Sequence, residues 1–517
     1  MEIFANLADG FAIALTWNNL WLALLGCFLG TIMGALPGLG PSNGVAILIP
    51  LAFTLGLGAT PSLILLTSVY YGAMYGGRIS SILLNIPGAP SAIATALDGY
   101  PLAQKGLAGE AIGISTVMSF VGGLIGIIVL AVAAPAVSDF ALTFQPRDFM
   151  LLAILGILLV GSLSGESLVK GIFAGALGLL IGTVGMDPLT AEERFTFGFT
   201  QLWGGISFIA VMIGMFGVSE ALAQLHHVDK TAVKQTISRI VPTWSSILKY
   251  LPLSLQTSSI GVIIGALPGT GGDIAALMAY DHAKRVTKNP EVPFGQGARE
   301  GLVAPETANN AAVGGAFIPM LTLGIPGDAV TAIMIGALYI HGLNPGPMLM
   351  IDQPQMFWFI TGALVLANIF MLIFGLTGIR IFTRIVEMPR TVLLPLILLL
   401  SIVGAYAVNN AITDVYWMLA FGVLGYFMKS YGYQLGPVIL GVILSRLLDE
   451  NWRRAIISEQ GSVAGLFRGI ATSPLSLVLA AMVVMIFVSQ TPVWRRFRRK
   501  IGLERIEHDQ DAPGSGA

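Results

Sequence analysis

Two short motifs concentrate the residues of this chain that are able to do chemistry. The first, Gly34-Ala-Leu-Pro37-Gly38-Leu-Gly40-Pro41-Ser42-Asn43, returns as Gly265-Ala-Leu-Pro268-Gly269-Thr270-Gly271-Gly272-Asp273, its first five residues identical at an offset of 231. A second pair follows in the same order. Gly76-Gly77 precedes Ile86-Pro87-Gly88, and Gly314-Gly315 precedes Ile325-Pro326-Gly327, at offsets of 238 and 239. Two ordered matches at nearly one offset point to an internal duplication. Proline removes a backbone donor and glycine admits left-handed backbone, so each motif predicts an interrupted helix. At such a break the next helix exposes free N–H groups which, with the helix dipole, attract an anion. Carbonyls freed at the same place, joined by Ser, Thr and Asn oxygens, suit a hard cation such as Na⁺.

The candidate anion site therefore comprises Pro37, Gly38, Gly40, Ser42 and Asn43 at the first break and Pro268, Gly269, Thr270 and Gly271 at the second. Arg78, Ser80, Ser81, Asn85 and Gly88 join them from the first half, and Asn310 and Gly327 from the second. The candidate cation ligands are Asn43, Asn309, Asn310, Thr322 and Thr331. The competing reading is that Gly, Ser and Thr only let helices pack closely and kink. Arg78 is the one Lys or Arg in the first 104 residues; it either faces the anion or lies near the interface and snorkels. Glu306 could coordinate a cation, carry a proton, pair with Arg78, or serve as a helix-start carboxylate. Asp273 and Asp328 each follow a glycine-containing break and could simply cap helices. His226 and His227 are expected in a solvated loop.

The elements that position these residues follow from composition. Of 517 residues, 55% are apolar and 11% are charged, against about 25% charged in a soluble domain. Charge-free runs such as Gly122–Ala134, Met150–Gly161, Phe208–Gly217 and Thr391–Gly404 reach, with their flanks, the roughly 20 residues a helix needs to cross ~30 Å of hydrocarbon. Backbone in lipid must satisfy its own hydrogen bonds, which favours helices for runs of this length. The expected fold is an all-α integral membrane protein with roughly 10–12 hydrophobic segments, some of them broken or re-entrant. The single cysteine, Cys27, excludes a disulfide framework and a thiolate metal cluster. A formal charge of −1 excludes a generally basic nucleic-acid binder. The first residues carry Glu2 and Asp9 and no positive charge, so no cleavable signal peptide is expected.

Charge placement suggests the organisation. Basic segments lie at 226–249, Lys284–Lys288, Arg380–Arg390 and Arg495–Lys500, and the positive-inside rule puts them in the cytoplasm. The C-terminus is then cytoplasmic and the N-terminus outside. Residues 1–225 form a first repeat half, 226–249 a cytoplasmic linker, and 250–390 the second repeat. Residues 391–494 form a C-terminal scaffold with spans near 391–408, 412–428, 433–448 and 470–489, and 495–517 a basic, disordered tail. With basic loops on both sides, the stretch 251–281 should enter and return on one side, breaking at Leu267–Gly272. The first copy should enter from the other, as in inverted-topology repeats.

These motifs resemble the large membrane subunit of the tripartite tricarboxylate transporters. The similar blocks are Gly34–Asn43, Tyr71–Gly77, Ser81–Gly88, Leu97–Pro101, Gly265–Arg285, Glu300–Asn310, Leu323–Gly327 and His341–Pro347, in that order along nearly the whole chain. One departure is Arg78-Ile79 ahead of Ser80-Ser81, where the family pattern leads us to expect small hydroxyl residues. The resemblance implies a bacterial inner-membrane permease, its N-terminus then periplasmic, with a small membrane subunit and a periplasmic solute-binding protein as partners. It also implies uptake of di- or tricarboxylates driven by a cation gradient, Na⁺ or H⁺, with no further cofactor. Neutral oxygens outnumber carboxylates around the motifs, which favours Na⁺. The expected mechanism is elevator-like, one carrier domain moving against a scaffold. Two other classes are open to exclusion. An intramembrane enzyme needs an acid–base pair, an activated nucleophile or a metal cluster, and the repeats hold no His/Asp/Glu cluster at ligand spacing. A passive anion channel would work without an ion gradient or a binding protein.

Overall fold

Apolar runs bounded by Pro, Gly and Asn fold as helices almost throughout. The computed structural model describes residues 2–36, 39–163, 167–187, 190–225, 240–386 and 390–489. Pro37, Gly38, His226, His227 and the tail 495–517 lie outside the described residues. The chain opens with α1 (Glu2–Ala14), α2 (Trp17–Ala35), α3 (Gly40–Thr54), α4 (Ala59–Leu84) and α5 (Ala92–Gln104). Then come α6 (Ala108–Ala141), α7 (Pro146–Leu163), α8 (Leu168–Gly182) and a minimal hairpin in which β1 (Gly185–Met186) pairs antiparallel with β2 (Glu193–Arg194). Next, α9 (Phe208–Met212) runs through a π-helical turn, Ile213–Val218, into α10 (Ser219–Gln224).

The middle of the chain holds α11 (Trp244–Ala266), α12 (Gly271–Val286), α13 (Arg299–Leu323) and α14 (Ala329–Ile340). The last part comprises α15 (Pro347–Asp352), α16 (Pro354–Thr377), α17 (Ile379–Val386), α18 (Arg390–Asn409), α19 (Ile412–Ser430), α20 (Gly436–Ser458), α21 (Val463–Thr472) and α22 (Pro474–Ser489). Among the described residues four helices, α2, α6, α11 and α16, are long and apolar enough to cross a membrane. The pair α21 and α22 qualifies only jointly and bends by 102° at Ser473. The single span expected near 470–489 is thus a shorter helix joined to a second one at a sharp angle. Pro474 sets the corner, because the residue before proline is pushed out of the helical region. Five further apolar helices are shorter than a full span, α3 and α14 among them.

Two helices form the centre. In α4 every residue from Ser62 to Leu83 is buried, and in α13 every residue from Gly301 to Thr322. Their hydroxyl, amide and charged groups face protein, which lets them be far less apolar than α6 or α16. Tyr70 stacks on Phe317, ring centroids 6.2 Å apart, while Arg78 meets Glu306, so α4 and α13 run antiparallel.

Each centre helix carries a helical hairpin along its flank. In the first unit α2 turns back into α3, and in the second α11 turns back into α12, both pairs packing against the centre helix that follows. The packing is glycine on backbone. A methyl group on Gly30 or Gly34 would fall 2.2 or 2.0 Å from the carbonyl oxygen of Val69 or Ala73. In the second unit the same test on Gly261 and Gly265 gives 2.3 Å to the carbonyls of Ala308 and Ala312. Partners thus recur at offsets of 231 in the hairpin and 239 in the centre helix. The α2–α3 corner reaches the level of Ala73 and the α11–α12 corner that of Ala312, both part-way along their centre helices. Because those helices are antiparallel, the corners approach one level from opposite ends. Met74 of α4 duly lies against Gly272 at the start of α12.

Candidate functional site

The first corner is built by Leu36, whose N–H closes the last turn of α2 on Ile32 O at 3.1 Å, and by Gly40, which opens α3 at φ +42°. Pro41 occupies the first turn of α3, where its missing N–H costs nothing. Asn43 is buried and Ser42 half-buried one turn into that helix. At the second corner Thr270 folds its hydroxyl back onto the carbonyls of Ile264 and Leu267, the latter at 3.0 Å, tying off the end of α11. Gly269 and Gly271 supply the left-handed backbone at φ +80° and +58°. Pro268 is half-buried beside Gly156 of α7.

A second break closes each corner. Asn85 ends α4 at φ 56° and Gly324 ends α13 at φ 69°. The chain then returns so that Gly88 packs on Gly34 and Gly327 packs on Gly265. A methyl group on Gly88 would sit 2.2 Å from Gly34 O, and on Gly327 2.6 Å from Gly265 O. Gly40 faces Gly88, and Gly271 faces Asp328. Within each unit, therefore, the two sequence motifs converge.

The two units also meet. Ser91 N–H donates to Asp273 Oδ1 at 2.9 Å, and the Tyr70 hydroxyl donates to Asp328 Oδ2. Asp328 caps α14 in a capping box, its Oδ1 accepting Thr331 N–H and Oγ1–H, both at 2.7 Å. Asn309 is buried and its side-chain oxygen accepts no hydrogen bond from a described residue. That oxygen faces the first turn of α12: a methyl group on Gly272 would fall 2.2 Å from it. Asn310 donates to Glu306 O at 3.1 Å, and its own Oδ1 accepts from no described residue.

Other expected ligands spend their hydroxyls on carbonyls of their own helices, Ser80 doing so beside Gly88. Ser80 and Ser81 donate to Gly77 O at 3.3 and 3.0 Å. Thr322 donates to Ile318 O at 2.7 Å. It lies ten residues beyond Ala312, about 15 Å along the helix axis. Asn85 is exposed. Arg78 does not snorkel: it is fully buried, 2.6 Å from Glu306, with its Nε–H on Tyr75 O at 3.2 Å and its guanidinium 4.5 Å over the Tyr75 ring. Glu306 is not at a helix start either. It sits inside α13 and also accepts from Thr95 and, at 3.4 Å, from Ser119. The guanidinium neutralises the carboxylate and spans the two units.

Sequence reasoning assigned no role to Asp98 or Tyr70. Asp98 is fully buried, and its Oδ1 gathers three backbone N–H groups, Gly295 and Gly297 at 2.8 Å and Ala298 at 2.7 Å. Tyr280 donates to its other oxygen at 3.0 Å. This carboxylate, from the first unit, fastens the 287–298 connection of the second. Its one advance signal was an acidic residue inside the Leu97–Pro101 block.

A cavity of about 560 Å³ lies elsewhere, lined by Arg194, Ser207, Asn409, Ser445, Arg446 and Asp449 among others. Its arginines are already paired, Arg194 with Asp449 at 2.9 Å and Arg446 with Glu450 at 2.8 Å. It therefore has little free positive charge to offer an anion, and none of the break residues line it.

Buried helices with polar inner faces, flanked by paired hairpins and wrapped in apolar helices, define a multi-pass membrane protein of the transporter class. The chain belongs to the Tripartite tricarboxylate transporter TctA family, whose profile matches residues 20–440. That membership makes it the membrane permease component of a tricarboxylate-transporter system. It is 38% identical over 493 residues to an uncharacterized 52.8 kDa protein in the TAR-I ttuC' 3'region of Agrobacterium vitis, covering 95% of this chain and 97% of that one. A second Agrobacterium vitis protein, from the TAR-II ttuC' 3'region, is 37% identical over 230 residues, 44% of this chain and 95% of that one. No solved structure matches the chain.

Proposed function

We propose that this chain imports di- or tricarboxylates by Na⁺ symport, receiving solute from a periplasmic binding protein and working with a small membrane subunit. In this reading the α2–α5 and α11–α14 units are inverted duplicates that form one carrier. The helices from 391 onward form the scaffold against which it moves in an elevator-like step. The carrier lies in the bacterial inner membrane, with the basic loops and the C-terminus cytoplasmic and the N-terminus periplasmic. The observation that carries the reading is the approach of the two hairpin corners, from opposite ends, to one level where α4 and α13 cross. Broken helices meeting inside a membrane protein are where transporters place substrate and coupling ion. The anion goes to the start of α3, whose first turn, with Gly40, Ser42 and Asn43, carries no acidic residue.

The test is uptake of labelled citrate and a panel of dicarboxylates into proteoliposomes holding this chain and its small partner. Binding protein is added or withheld, with and without an inward Na⁺ gradient. Uptake that needs both gradient and binding protein, and falls at least about tenfold in Asn43→Ala, is the expected result. Equal flux without either would make the protein a channel. Uptake driven by a pH gradient alone would replace Na⁺ by H⁺.

A further inference from the structure

We propose that Na⁺ binds at the first turn of α12, held by the Asp273 carboxylate and the Asn309 side-chain oxygen, with Asp328 supplying a second negative charge beside it. The inference rests on the symport reading above and assigns the coupling ion a place within it. Asp273 had no role beyond a helix cap in the sequence, yet it spends only Oδ1 on Ser91 N–H, and its side chain is accessible. Asn309 is 3% exposed and presents an oxygen without a donor to the same turn, against Gly272. A buried amide oxygen left unpaired is destabilising, and a cation beside Asp273 would satisfy it. Asp328 adds charge rather than a free ligand, because Thr331 and Tyr70 already occupy both its oxygens.

Charge balance decides the sign of the guest. The start of α12 carries about half a positive charge and the end of α11, at the same corner, about half a negative one, so the dipoles offset. The start of α14, which Asp328 caps, adds about half a positive charge. Against that background stand two carboxylates, and neither forms an ion pair with a described residue. The nearby guanidinium of Arg78 is already neutralised by Glu306. Uncompensated carboxylates inside a membrane protein are expensive, and a monovalent cation removes part of that cost. The donors are oxygen only. No group of three or more His, Cys, Asp or Glu stands at metal-holding distance among the described residues, which fits Na⁺ rather than a divalent ion.

The experiment uses the full chain in lipid nanodiscs with Na⁺ alone, no solute, and K⁺ balancing ionic strength. Thermal unfolding and ²²Na⁺ binding are read as Na⁺ is raised. Wild-type protein should show one saturable Na⁺ effect. Asp273→Asn should weaken it roughly tenfold or more, as loss of a charge-assisted contact does. Asn309→Ala should weaken it by several-fold, and Glu450→Gln, on α20 and distant from this corner, should leave it unchanged. Both weakened variants should keep the wild-type elution profile, and Asn309→Asp, which retains an oxygen donor, should keep Na⁺ binding. Unchanged Na⁺ saturation in Asp273→Asn, while wild-type uptake remains Na⁺-driven, would overturn the site and leave the symport reading standing. Wild-type uptake indifferent to Na⁺ would overturn both.

Discussion

The α3 corner and the α12 corner share a sequence pattern and a packing scheme and differ in charge. Both are entered through Gly-Ala-Leu-Pro-Gly, both are sealed by a glycine returning from a second break, and both rest on a centre helix through paired glycine contacts. Yet α3 begins Gly40-Pro41-Ser42-Asn43, with no charge, and α12 begins Gly271-Gly272-Asp273. At the returning strands Ala89 stands where the second unit has Asp328, and on the centre helices Tyr70 stands where the second unit has Asn309. Packing has kept the scaffold fixed, since a Cβ at any of the paired glycines would meet backbone. The charged groups between the units are distributed unequally. The two corners thus offer one packing scheme with two different charge patterns.

The largest expected effect tests whether the units are held together electrostatically. Arg78 has Phe317 as its counterpart, and Glu306 has Thr67, so the ion pair is an asymmetry crossing the interface. Arg78→Phe or Glu306→Thr alone should destabilise the protein by about 3–5 kcal/mol, because one charge is left buried and unpaired. The double variant, which makes each unit resemble the other at these positions, should recover much of that loss. Chemical or thermal unfolding of the three variants in one detergent measures it. A double variant as unstable as the sum of the singles would show that the pair is not acting as a pair.

Asp98 sharpens the comparison from the side of the connections. The first unit joins its hairpin to its centre helix through 55–58, the second through 287–298. The longer connection needs an anchor, and Asp98 provides it across the unit boundary. Asp98→Ala should cost about 2–4 kcal/mol by stranding three N–H donors. It should also raise hydrogen exchange of 287–298 selectively, leaving 55–58 unchanged. Asp98→Asn, which keeps one carbonyl acceptor, should fall between.

Exchanging the charge between corners is the next test in size. Ser42→Asp places at α3 the carboxylate that α12 carries. It should reduce carboxylate uptake about tenfold or more through like-charge repulsion while leaving the Na⁺-dependent thermal shift in place. Retained uptake would mean that the anion does not sit at the start of α3.

How far these features were legible depends on what fixes them. The corners at 36–40 and 267–270 could be read because Pro and Gly impose breaks locally, and the C-terminal helices near 391–408 and 412–428 because apolar runs report length directly. The central position of α4 and α13 was hidden for the same reason: helices buried on every side within protein carry hydroxyls, amides and charges, so apolar windows pass them over. Glu306 read as a helix-start carboxylate because Pro305 precedes it, yet α13 begins at Arg299 and accommodates that proline inside. Asp98 and Tyr70 find their partners 197 and 258 residues away, and no local pattern encodes a separation of that kind.

The smallest expected effect concerns the rim of the same long connection. Glu291 lies on it and receives a charged hydrogen bond from Lys249. That bond, and then the ammonium charge, holds the Glu291 carboxyl below the ordinary glutamate range. A depressed carboxyl contributes stability that is present above the unfolded value, about 4.3, and is lost as pH falls through the folded one. The protection factors of 287–298, exchange corrected for its intrinsic pH dependence, should therefore stay flat from neutral pH down to about pH 5 and fall only below the glutamate range. Glu291→Gln should remove that acid limb and otherwise change exchange by less than about twofold, because the pair is exposed and screened by salt. A change as large as that of Asp98→Ala would shift the anchor of the second unit from the buried carboxylate to the surface pair.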